Sequence, residues 1–87
     1  MEYALTDAQV SEIQLLNAKL VSVKGLAKEA LSESNNYLFD KLIIEVSKAQ
    51  IEYEKWFDRM QDHFNVVTRT DQHWNVDFQK KVLQLLS

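Results

Sequence analysis

A repeating apolar stripe between residues 36 and 64 constrains the fold of this chain more than any other feature of its sequence. Apolar and aromatic side chains recur there at alternating steps of three and four, as they do on one face of an amphipathic α-helix. Lys41, Lys48 and Lys55 repeat every seven residues on the opposite face. The stripe consists of Phe39, Leu42, Val46, Ala49, Tyr53, Trp56 and Met60. We therefore expect a helix over about 36–64 whose stripe lies in the core of the domain.

A second helix is predicted over about 6–32. Thr6 followed three residues later by Gln9 is the pattern of a capping box, which satisfies free N–H groups at a helix start. Gly25 lies inside this helix and indicates either close approach of another helix or a kink. Residues 32–36 are polar, and so short a connection makes the two helices antiparallel neighbours. The apolar positions of this helix are Ile13, Leu16, Leu20, Val23, Ala27 and Ala30.

The C-terminal part of the chain carries a weaker pattern. Phe78, Val82 and Leu86 are spaced by four, which predicts a short helix over about 71–86. The chain has no proline and one glycine, the residues that strand bends and turns normally use, so a strand-rich fold is not expected. We therefore predict an all-α fold in a single helical domain spanning 1–87: an antiparallel helical hairpin (about 6–32 and 36–64) with a short C-terminal helix, arranged like a three-helix bundle.

Charge and composition narrow the classes of function. The net charge is −3, and Arg69, Lys80 and Lys81 form the only local basic cluster, so binding to nucleic acid is kept as an alternative and not as the prediction. The absence of cysteine excludes disulfides and thiolate metal sites. Neither a signal peptide nor a membrane-spanning segment is visible, and we expect a cytoplasmic protein.

Catalytic and metal-binding patterns are also missing. The residues that an enzyme or a metal-binding protein would use are Asp58, Asp62, His63 and His73, and this is the second alternative. A di-iron bundle needs Glu-x-x-His pairs, but residues other than glutamate precede both histidines by three positions. No Gly-x-Ser-x-Gly elbow and no glycine-rich phosphate loop occur. We predict no catalytic, cofactor, metal or small-molecule site.

Several apolar residues fall outside the predicted core faces. Tyr37, Ile44 and Ile51 repeat every seven residues, about 140° around the helix from the main stripe. Trp74 lies beyond the regular stripe altogether. Either the third helix covers these side chains, or they contact a partner.

We predict a non-enzymatic helical protein–protein interaction module, such as an adaptor, a secretion-type chaperone or a small inhibitor. Its partner would be another protein or a second copy, since so short a chain gains stability from dimerisation.

Overall fold

The computed structural model describes residues 1–86, which form two long helices and a three-stranded antiparallel sheet. The sheet order is β1-β3-β2, so the strand nearest the N-terminus pairs with the last strand of the chain. The prediction of an all-α fold is therefore wrong, and so are the third helix over 71–86 and the bundle-like arrangement. The elements are β1 (Glu2–Ala4), α1 (Asp7–Ser32), α2 (Asn36–His63), β2 (His73–Asp77) and β3 (Val82–Leu86).

Both helices of the predicted hairpin are present. The capping box at the start of α1 is formed: the Thr6 hydroxyl accepts from the Gln9 amide at 3.1 Å, and the Gln9 side chain accepts from the Thr6 amide at 2.8 Å. A Cβ built on Gly25 meets no atom within 4 Å, and α1 continues through this residue. Gly25 therefore does not serve a close approach of the helices.

The chain reverses between the helices in three residues. Ser34 has a φ of 59°, the left-handed conformation in which helices often end. The amides of Ser34 and Asn35 donate to the carbonyls of Leu31 and Ala30, which completes a Schellman motif. The Asn35 side chain then accepts from the Leu38 amide and caps α2. A connection this tight fixes α1 and α2 as antiparallel neighbours.

Residues 73–86 form a β-hairpin because their side chains alternate. Trp74 and Val76 on β2 face the helices, as do Leu83 and Leu85, which are directly opposite them on β3. The other face carries the polar side chains of β2 together with Val82, Gln84 and Leu86 of β3. There Gln84 accepts from the Asn75 amide group and donates to the Glu2 carboxylate. The spacing of Phe78, Val82 and Leu86 suggested a helix, but the period-two alternation of 73–77 decides the structure.

The turn of this β-hairpin forms without glycine or proline. The Asp77 carboxylate accepts from the amides of Gln79 and Lys80, which holds the chain in a side-chain-mediated turn. Lys81 takes the left-handed conformation, with a φ of 55°. The lack of proline and the single glycine of the chain were therefore a poor argument against strands, because Asp77 and Lys81 form the turn instead.

The sheet covers only one end of the helical hairpin. We call the covered part (7–19 and 50–63) the base half, and the remainder (20–49) the distal half. In the base half, Ile13 and Trp56 are fully buried, and they belong to one core cluster with the fully buried Leu83 of the sheet. The distal half buries mainly the small residues Ala27, Ala30 and Ala49, along with Leu20.

The distal half gives the molecule an elongated shape. The whole molecule measures 45 Å along its longest axis. Its radius of gyration is 15.5 Å, against about 12 Å for a compact chain of this length. Within residues 1–86, neither helix contains a stretch that is both long and apolar enough to cross a membrane.

Candidate functional site

Three of the four predicted contact residues lie together on the outer face of α2. Tyr37, Ile44 and Ile51, which we call the outer stripe, have exposed fractions of 72%, 57% and 51%. The C-terminal segment does not cover them, because it forms the sheet at the base half. Of the two alternatives that the sequence left open, coverage by a third helix is therefore wrong. Whether these side chains bind a partner stays a prediction.

The outer stripe is bordered by lysines. Lys41 and Lys48 fall between its members on successive turns of α2. The ammonium of Lys41 lies 4.5 Å from the centre of the Tyr37 ring, in a cation–π contact. Lys48 pairs with Glu45 at 3.6 Å. The face is thus apolar along its centre, with long basic side chains beside it.

Trp74, the fourth predicted contact residue, lies elsewhere. It is half buried on β2, where its ring centre is 6.1 Å from that of Tyr3, edge-on, and it packs against the core of the base half. The structure therefore does not bring Trp74 together with the outer stripe. Its position shows a packing contact between the sheet and the helices.

An open apolar groove runs between α1 and α2 in the distal half, with a volume of about 220 Å³. Leu31 and Ile43, which line it, remain 56% and 42% exposed. Lys24 and Lys28 lie on its α1 side. The apolar lining is Ala27, Leu31, Phe39, Ile43 and Val46. We call this feature the distal groove.

The distal groove continues the face that the sheet covers. Leu31 follows Ile13 by eighteen residues, and Phe39 precedes Phe57 by the same number, which is about five helical turns in each case. Each pair therefore lies on one side of its helix. Ile13 and Phe57 pack in the core under the sheet, whereas Leu31 and Phe39 lie beyond its end. The groove exists because the third layer stops halfway along the hairpin.

The opposite face of the hairpin is charged. Arg59 of α2 pairs with Glu12 of α1, and Lys19 pairs with Glu52 at 3.4 Å. All four side chains are about half exposed, so each pair contributes at most about 1 kcal/mol. The two broad faces therefore differ in chemistry: one carries ion pairs between the helices, and the other an open apolar groove.

The residues of the enzyme or metal-binding alternative are only partly brought together. Asp58 and His73 line a shallow cleft beside Trp74, but Asp62 and His63 do not. Within residues 1–86, no group of three or more histidine, cysteine, aspartate or glutamate side chains is placed to hold a metal ion. This arrangement supplies no observation in favour of that alternative.

The basic cluster of the nucleic-acid alternative is largely neutralised. Lys81 pairs with Asp7 at 2.6 Å, and Arg69 lies 3.7 Å from Asp71. The hydrogen bond from Lys81, together with its charge, holds the pKa of the Asp7 carboxyl below its ordinary value. The helix that would have presented these cations is a β-hairpin instead.

Sequence reasoning missed the distal groove. It placed Phe39 and Val46 in the core, because they share the heptad stripe with Trp56. A signal was nevertheless present in Lys24 and Lys28, which have no acidic residue three or four positions away, whereas each lysine of α2 has one. No protein-family model matches the sequence, and no curated protein or solved structure shows significant similarity to the chain. The interpretation of these surfaces therefore depends on their geometry.

Proposed function

We propose that this protein is a non-enzymatic protein–protein interaction module that acts through the exposed side chains of its helical hairpin. The outer stripe carries the proposal. Three large side chains, each more than half exposed, line up along about 21 Å of α2. Scattered exposed apolar residues are common on protein surfaces, but an aligned set is typical of a contact surface.

The spacing of the outer stripe supports a second copy of the chain as its partner. Tyr37 and Ile51 are each seven residues from Ile44. When two such helices pack antiparallel about a twofold axis through Ile44, Tyr37 of each copy lies against Ile51 of the other. A twofold interface needs a self-complementary surface of this kind. Beside the stripe, the aliphatic stems of Lys41 and Lys48 would extend the apolar contact while their ammonium groups stay in water.

Such a module fits the predicted roles of an adaptor, a secretion-type chaperone or a small inhibitor. We propose a cytoplasmic location, because a chain without cysteine gains nothing from an oxidising compartment. The alternatives, an enzyme or metal-binding protein and a nucleic-acid-binding protein, stay predictions that no observation favours.

Sedimentation equilibrium over about 10 μM to 1 mM protein tests the proposed self-association. We expect a concentration-dependent dimer for the wild type. Ile44→Glu places two carboxylates at the twofold axis and removes an apolar contact worth about 1.5–3 kcal/mol, so the dimer should weaken at least tenfold.

Leu15→Glu is the matched control, since Leu15 is exposed on α1, outside the outer stripe. This variant should dimerise like the wild type. A wild-type chain that is monomeric throughout the range, or a dimer that Ile44→Glu leaves intact, would contradict self-association through the outer stripe.

A further inference from the structure

We propose that the distal groove binds an amphipathic α-helix of another protein that carries acidic residues along one flank. The site is separate from the outer stripe, because Phe39 in the groove and Ile44 in the stripe are about 140° apart around α2. The groove therefore stays open in the dimer proposed above, and this inference does not depend on that dimer.

The walls of the groove select a helix over an extended segment. Both walls are α-helical, so their backbone N–H and C=O groups are already paired within α1 and α2. An extended peptide would find no backbone partners there and would leave its own polar groups unpaired. A helix satisfies its own backbone and can place an apolar stripe against Leu31, Phe39 and Ile43. It would supply over the distal half the third layer that the sheet supplies over the base half.

The rim of the groove selects the charge of that helix. Lys24 and Lys28 lie one turn apart on the α1 side, and among residues 1–86 neither pairs with a carboxylate. Among residues 1–86, no acidic side chain lines the groove. Two unpaired ammonium groups beside an apolar floor favour carboxylates on the bound helix, also about one turn apart.

A second copy of the chain fits this groove poorly. The core stripes of its two helices already pack against each other and against the sheet. Its outer stripe is exposed, but Lys41 and Lys48 beside that stripe would face Lys24 and Lys28 of the groove. Its own groove carries the same Lys24 and Lys28, so packing groove on groove in an antiparallel pair would bring together four ammonium groups without a carboxylate partner, whereas Lys48 beside the outer stripe pairs with Glu45. The observations therefore favour a helix from a different protein.

Selection from a displayed peptide library tests the proposal. The library holds 16-residue helical peptides with a fixed leucine stripe and randomised flanks, and the bait is the full chain. We expect the selected peptides to carry Asp or Glu pairs four residues apart on one flank. When added to the protein, these peptides should perturb the backbone amide NMR signals of residues near 24–46 and leave the signals of the sheet's outer face unchanged. Fluorescein-labelled versions of the same peptides serve for the affinity measurements.

Charge reversal locates the acidic contact. The double substitution Lys24→Glu and Lys28→Glu changes two exposed side chains, and it should weaken binding of the acidic peptides at least tenfold by fluorescence anisotropy. The same variant should gain binding to peptides whose acidic pair is replaced by lysine. Lys55→Glu with Lys80→Glu changes the net charge equally at exposed sites outside the groove, and should alter affinity less than twofold. Circular dichroism verifies that each variant is folded.

Three results would overturn the inference: selected peptides without an acidic flank, binding that is indifferent to Lys24→Glu/Lys28→Glu, or no selected peptide that binds above background. A dimer that is lost on Leu31→Glu would show that a second copy occupies the groove, and would overturn it as well. The outer-stripe dimer is tested by a different measurement, the concentration dependence of the mass in sedimentation equilibrium. Either proposal can therefore be contradicted without affecting the other.

Discussion

The base and distal halves are built from the same two helices, yet they bury different side chains. In the base half, Trp56 and Ile13 are fully buried because Leu83 and its neighbours on the sheet close over them. In the distal half, alanines fill the line of contact, and large residues such as Leu31 and Ile43 stay substantially exposed. Two packed helices enclose only the strip between them, whereas a third layer encloses whole side chains. The end of the sheet, and not the apolar pattern of the helices, therefore determines where the core ends.

Trp56→Ala and Phe39→Ala compare the two halves most directly. Trp56 has no exposed surface, so its truncation should cost about 3–5 kcal/mol of unfolding free energy. Phe39 lies on the groove and is only partly buried, so its truncation should cost about 1 kcal/mol. Urea denaturation followed by circular dichroism measures both.

Trp56→Phe refines this test. The indole N–H of Trp56 has no hydrogen-bond partner among the described residues, and an unpaired buried donor costs about 1–3 kcal/mol. Trp56→Phe removes that donor along with part of the ring, so it should cost much less than Trp56→Ala. If Phe39→Ala were as damaging as Trp56→Ala, the distal half would be packed as tightly as the base half, and the comparison would fail.

Gly25→Ala asks whether the distal half unfolds together with the base half. A Cβ at this position meets open space, so the substitution should stabilise the protein by about 1 kcal/mol through helix propensity alone. Ala18→Gly, at another exposed position of α1, should destabilise it by a similar amount. Both values come from the shift of the urea midpoint at constant slope. An unchanged midpoint for Gly25→Ala would indicate that the distal half is already unfolded at the main transition.

The smallest expected effect concerns the ion pair between Asp7 of α1 and Lys81 of the β2–β3 turn, which joins the sheet to the base half. Its hydrogen bond and charge lower the folded-state pKa of Asp7 below the ordinary value of 3.8. The stabilisation is therefore present above that value and is lost as the pH falls through the folded-state pKa. We expect Asp7→Asn to lower the melting temperature slightly at pH 7 and not at about pH 2.

Lys81→Gln separates the pair from other effects of Asp7. The double variant should be no less stable than the less stable of the two single variants, because both remove the same contact. A difference between Asp7→Asn and wild type that persists unchanged at low pH would contradict the assignment.

The helices could be predicted from local signals, and the sheet could not. The Thr6–Gln9 capping box and the polar break near Ser34 each act within a few residues, and the structure contains both. β1 pairs with β3 across almost the whole chain, Glu2 opposite Gln84, and no local pattern reports such a contact. In β2 the alternation of polar and apolar residues is visible in the sequence. However, the four-residue spacing of Phe78, Val82 and Leu86 after it matches a helix equally well.

The candidate surfaces were likewise predictable only in part. The sequence by itself determined that Tyr37, Ile44 and Ile51 share the outer face of α2, because helical geometry fixes angular position. Only the tertiary structure decided that they stay exposed, that Trp74 packs against Tyr3, and that Phe39 lines a groove. Periodicity states which side chains share a face, but exposure depends on what covers that face. In this protein the sheet covers the base half alone, and the distal groove is therefore open.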